Sequence, residues 1–121
     1  MLHCLIVDDN ASFLDAASTL LEREGLAVVG VASSTVDALR LTAELHPDIV
    51  LVDIMLGSES GLDLARQLAE AYPDLTVVLI STHSESDFAD LIAETPAAGF
   101  VPKSELSAAA ILRLASTPGG E

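Results

Sequence analysis

Five short apolar runs, at positions 2–7, 27–31, 49–52, 75–80 and 99–101, divide this chain, and longer segments with apolar residues at helical spacing lie between and after them. Runs of this length are too short for ordinary helices, and most are rich in β-branched residues, so they read as strands. Strict alternation of strand and helix predicts an α/β domain: a doubly wound, five-stranded parallel sheet with helices on both faces and right-handed crossovers. Half of the residues are hydrophobic but only 3% are aromatic, so the core has to be built from Leu, Val, Ile and Ala. That composition suits strands buried on both faces. A length of 121 residues fits one domain. We expect it to occupy residues 1–116, with 117–121 a flexible tail or the stump of a linker.

The helical segments carry start and stop signals. Asn10 precedes Phe13, Leu14, Ala17, Leu20 and Leu21 on one helix face, and Gly25 stands where a C-terminal cap belongs. Ser34 with Asp37, and Ser84 with Asp87, resemble capping boxes with Asp in place of Glu. Gly61 opens a segment closed by Pro73, and Ser104 is expected to cap the last helix.

Nineteen acidic and five basic side chains give a net charge of −14. Such a surface repels nucleic acid and anionic lipid, so direct nucleic-acid binding by this chain is not expected. No apolar run approaches the roughly 20 residues that span a bilayer, and the first run meets Asp8 and Asp9 too early for a signal peptide. Cys4 is the only cysteine, so there is no internal disulfide and a reducing compartment is the simpler assumption. The expectation is a cytoplasmic protein.

Ligands of open parallel sheets bind beyond the carboxyl ends of the strands, where strand order reverses. The first run ends in Asp8 and Asp9, the third in Asp53, the fourth in Ser81 and Thr82, and the fifth in Lys103, the one lysine of the chain. Neither GxGxxG nor GxxxxGK[ST] follows the first run, which disfavours both nucleotide-binding readings. Carboxylates crowded at one rim repel one another unless a cation neutralises them. Mg²⁺ suits a few carboxylates, retained waters and phosphate oxygens, and a lysine and a hydroxyl suit further phosphoryl oxygens. One of the aspartates can then itself accept a phosphoryl group. Singly, each residue has an ordinary role: Asp8 and Asp9 as helix caps, Asp53 as a loop acid, Ser81 as a strand-end hydroxyl, Lys103 as a solvated lysine. Their shared position at carboxyl ends tips the balance.

Asp8-Asp9 after Leu5-Ile6-Val7, Asp53 after Ile49-Val50-Leu51-Val52, Leu79-Ile80-Ser81, and Gly99-Phe100-Val101-Pro102-Lys103, with Gly61 beyond the acid, together resemble a response regulator receiver domain of two-component signalling. The resemblance covers essentially the whole chain and implies the flavodoxin-like strand order 2-1-3-4-5. It further implies Asp53 as phosphoacceptor and Mg²⁺ held by Asp9, Asp53, the backbone carbonyl of Met55 and, largely through water, Asp8. Ser81 and Lys103 would bind the phosphoryl group, Ser81 and Phe100 would form the switch, and Met55 and His83 stand where side chains tune phosphoryl lifetime. The implied partner is a histidine kinase or phosphotransfer protein, with homodimerisation through the fourth helix, fifth strand and fifth helix. On this reading the protein is a switch and not an enzyme.

Two departures from the family pattern stand out. Gly57-Ser58 follows the acceptor where Pro is frequent, and is expected to loosen that loop. Ser104 follows Lys103 where a proline, often cis, is common, so a trans bond is expected. Two rival readings are a Mg²⁺-dependent phosphatase with an aspartyl nucleophile and a receiver-like docking module that is not phosphorylated. The first wants a second acid at position 55, which is Met.

Overall fold

The computed structural model of the chain describes residues 2–82, 90 and 97–115. The segment beginning at Ser84, His83 and the tail 117–121 lie outside the described residues. Five strands form one parallel sheet: β1 His3–Val7, β2 Ala27–Ala32, β3 Ile49–Asp53, β4 Thr76–Ser81 and β5 Gly99–Pro102. Their order is β2-β1-β3-β4-β5, as the family resemblance implies. Three helices, α1 Ala11–Arg23, α2 Thr35–Leu45 and α3 Gly61–Ala71, connect the first four strands, and a closing helix, Ala108–Ala115, follows β5.

The two-residue pleat of each strand sorts its side chains into two cores. Cys4 and Ile6, Ile49 and Leu51, Val78 and Ile80, and Val101 pack with Leu14, Ala17, Leu21 and Ile111 of α1 and the closing helix. Leu5 and Val7, Val50 and Val52, and Val77 and Leu79 pack on the opposite face with Ala38, Leu64, Ala65 and Leu68 of α2 and α3. Central strands buried on both faces explain why their sequences run unbroken in apolar residues.

The helix starts follow the sequence signals with one exception. Asn10 Oδ1 accepts from the Phe13 N–H, Ser34 Oγ from that of Asp37, and Ser60 Oγ from that of Asp63. Ser104 does not cap the closing helix. It sits in a 3₁₀ turn, Lys103–Glu105, after which Leu106 is buried and Ser107 Oγ accepts the Ala110 N–H. The chain thus spends three extra residues returning Leu106 to the core before the helix begins. A second tie reaches across the fold: Glu24, just past α1, accepts the Ala108 N–H through Oε1 at 2.6 Å. The Lys103–Ser104 bond is trans, as expected.

Gly57-Ser58 does not open the loop after β3. Met55–Leu56 and Glu59–Ser60 pair antiparallel, leaving Gly57 and Ser58 as a two-residue turn. Gly57 has φ +58° and Ser58 a negative φ. Glycine at the first turn position with that sign pattern is the hallmark of a type II′ hairpin.

Candidate functional site

Strand parity decides which rim residues can meet. Asp8, Asp53 and Lys103 each lie two residues beyond a member of the α1-side core, namely Ile6, Leu51 and Val101. Alternation therefore sends all three toward the same face of the sheet. β1 and β3 are hydrogen-bonded neighbours, and β4 alone separates β3 from β5. The result is a tight cluster.

Lys103 Nζ lies 2.5 Å from Asp8 Oδ2 and 3.2 Å from Asp53 Oδ2. Carboxylate oxygens of Asp8, Asp9 and Asp53 all come within 4.8 Å of one another. Asp8 Oδ1 accepts the Asn10 N–H at 2.9 Å, and Asp53 Oδ1 accepts the Met55 N–H at 3.1 Å. Asp8 is fully buried, Asp53 nearly so, and Asp9 is exposed at the mouth. Buried carboxylates persist only when paired or coordinated.

Burial pushes the Asp53 carboxyl above the ordinary carboxylate range; the Met55 N–H draws it back, the Asp8 charge raises it further, and Lys103 lowers it. Partial burial disfavours the Lys103 ammonium, but Asp8 and Asp53 outweigh that, and its pKa is raised. Three carboxylates against one ammonium leave two negative charges uncompensated. Asp8 Oδ2 is buried, and no donor meets it in hydrogen-bonding geometry, the lysine contact being an ion pair only. The donor set is all oxygen. A small hard dication fits both the charge and the donors.

Ser81 is buried at the end of β4, one residue beyond Ile80, which registers with Asp53. Phe100 is partly buried against the α3-side core, and the residue two beyond it, Pro102, registers with Ser81. Ser81 has the pleat parity of Leu79, so it and Phe100 belong to the same side of the sheet. The Met55 side chain is 52% exposed, and its backbone stands beside Asp53 through the N–H already noted.

Two contacts at the site carry no signal in the sequence. Gly61 is a matter of clearance: a Cβ there would collide with the Asp53 carbonyl oxygen, and the Gly61 N–H donates to Ile54 O at 2.8 Å. Its place in the motif is legible in the sequence; the contact that requires a glycine there is not. Phe13 sits with its ring centroid 4.4 Å from Lys103 Nζ. Periodicity accounts for Phe13 as a helix-face residue, and no sequence signal links positions 13 and 103.

Residues 4–114 match the response regulator receiver domain family. Among individual proteins, the response regulator GacA of Pseudomonas aeruginosa is 36% identical over 104 residues, covering 85% of this chain and 49% of its own. The chain spans about half the length of the curated relatives it matches. A LuxR-family two-component response regulator from Aurantimonas superposes with a TM-score of 0.82 at 30% identity, covering 93% of this chain and 81% of that one. A Burkholderia pseudomallei response regulator, solved with a phosphorylated aspartic acid, a calcium ion and citrate, gives 0.83 at 27% identity, covering 97% and 68%. No helix among the described residues is long and apolar enough to cross a membrane. Sheet order, rim chemistry and sequence agree: this chain belongs to the response regulator receiver domain family.

Proposed function

We propose that this chain is the phosphoacceptor receiver of a two-component system, taking a phosphoryl group on Asp53 with the help of Mg²⁺. The observation that carries the reading is a buried aspartate at a strand end, flanked by two further acids and an ammonium group. The related B. pseudomallei regulator with its phosphorylated aspartic acid and calcium ion supports the same chemistry.

Asp9, Asp53, the Met55 carbonyl and, largely through water, Asp8 would hold the metal. When bound, Mg²⁺ supplies positive charge to the carboxylates and the phosphoryl oxygens. An Asp53 carboxylate oxygen attacks the phosphorus of a phosphohistidine on a partner kinase or phosphotransfer protein. The O–P bond forms as the P–N bond breaks, and the electron pair leaves with the imidazole, which takes a proton from solvent. Lys103 compensates charge on a phosphoryl oxygen, Ser81 hydrogen-bonds another, and Phe100 follows Ser81 inward. The domain acts as a cytoplasmic switch biased by one covalent group rather than as an enzyme. The altered face around β5 and the closing helix is where partners or a second copy would bind.

Incubation with a small acyl phosphate donor and Mg²⁺ tests this. Wild type should gain one phosphoryl mass that hydroxylamine removes, and Asp53→Asn should gain none. Equal labelling of the variant would place the acceptor elsewhere.

A further inference from the structure

Four residues close a circuit around the first helix start. Asp8 Oδ1 accepts the Asn10 N–H at 2.9 Å, and Asn10 Oδ1 accepts the Phe13 N–H at 3.1 Å. The Phe13 ring faces Lys103 Nζ at 4.4 Å, and Lys103 returns to Asp8 Oδ2 at 2.5 Å. The cap that starts α1 therefore also sets the backbone from which the ring reaches the lysine. Phe13 is partly buried against the α1-side core, which holds the ring in place.

Lys103 has three neighbours in this arrangement: Asp8, Asp53 and the Phe13 ring. On the proposed function, on which this inference rests, a dication engages the Asp8 carboxylate, largely through water, and a phosphoryl group converts that of Asp53. Both ionic partners of Lys103 are then altered during the reaction. The ring is the neighbour that neither event touches. An ammonium over an aromatic face is attracted by the ring quadrupole, more strongly where water is excluded. The Lys103 side chain is only 12% exposed.

We propose that Phe13 is a positioning residue whose ring seats the Lys103 ammonium when Mg²⁺ and its waters engage Asp8, keeping it within reach of the phosphoryl oxygens at Asp53. The role needs an aromatic face and not merely apolar volume. Leucine at 13 preserves the helix and much of the packing but removes the seat, whereas tyrosine retains it.

Two measurements test this. The first is the rate of Asp53 phosphorylation by phosphoramidate at saturating Mg²⁺, with the Mg²⁺ dissociation constant determined separately. Phe13→Leu should slow phosphorylation roughly tenfold, the size of a partly desolvated cation–π contact, and leave the Mg²⁺ constant within about twofold. Phe13→Tyr should match wild type, and Phe13→Leu added to Lys103→Met should slow nothing further. An unchanged rate in Phe13→Leu, or equal slowing in the Lys103→Met background, overturns the proposal. The second measurement does not depend on any variant folding. Because Lys103 is the chain's one lysine, its ε-methylene protons can be assigned unambiguously by NMR. They should stay shifted upfield by the ring in wild type carrying Mg²⁺ and beryllofluoride, and loss of that shift overturns the proposal. Failure of wild type to take phosphate at all would instead overturn the phosphoacceptor reading, and the seat with it.

Discussion

Replacing Lys103 with Met removes the single cation of the cluster while keeping a long, flexible side chain against Phe13. In the wild-type protein that ammonium contacts Asp8, which is fully buried, and Asp53, which is 6% exposed. Removing one partner of a buried ion pair costs about 3–5 kcal/mol, because the remaining charge has nothing to compensate it. Asp9 opens the cluster to solvent on one side, so the lower end, about 3 kcal/mol, is the appropriate figure. Urea unfolding in EDTA at pH 7 is the assay. With a slope of about 2 kcal/mol per molar for a domain of this size, the midpoint should fall by about 1.5 M. The pH dependence has a definite sign. Burial already raises the Asp53 carboxyl above its unfolded value, so the native state binds the proton more readily than the unfolded chain. The penalty for the charged form is relieved as pH falls through the folded value, more so in the variant, and the gap to wild type should close on acidification. Mg²⁺ should close it too, since three unpaired carboxylates attract a dication more strongly than the same three beside an ammonium. Equal midpoints in EDTA at pH 7, or a gap that widens with acid or with Mg²⁺, would refute the charge-compensation argument.

Further outcomes can be measured on the same unfolding curves. Burial pushes the Cys4 thiol from 9.0 up to about 12, so the native state keeps its proton where the unfolded chain loses it. Stability from this source is complete below pH 9 and falls as pH rises toward 12; at pH 10.5 wild type should have lost about 2 kcal/mol relative to Cys4→Val. An identical alkaline decline in both proteins would contradict the buried-thiol assignment. Gly61→Ala forces a methyl group against the Asp53 carbonyl oxygen, which should cost about 2–4 kcal/mol from overpacking and a disturbed hydrogen bond. It should also weaken Mg²⁺ binding, and retention of both stability and metal affinity would show that the backbone there yields easily.

Much of this architecture was legible because one rule governs both the strands and what lies beyond them. The apolar run ending at Val7 is a strand that stops there, and the structure extends those ending at Val52, Ile80 and Val101 by one residue each. The polar residues just past them, Asp8, Asp53, Ser81 and Lys103, fell at one edge because the strands are parallel. The order of the strands was not contained in the alternation and came from the family resemblance. Where the structure departs from the sequence expectation, local chemistry is outweighed by tertiary demand. Ser104 is a good cap in isolation, but Leu106 needed burial first, so Ser107 took the role. Gly57 suggests slack in the sequence alone, whereas its positive φ is what lets two residues reverse the chain. The Phe13–Lys103 contact spans 90 positions and arises because α1 and the residues following β5 lie on one face of the sheet, which no local pattern encodes.

The bond from Ala108 to Glu24 joins residues 84 positions apart. The start of the closing helix is therefore tied to the end of α1 by a charge-assisted bond, and without the Glu24 carboxylate one of the amides that a helix start cannot pair internally would have to find another acceptor.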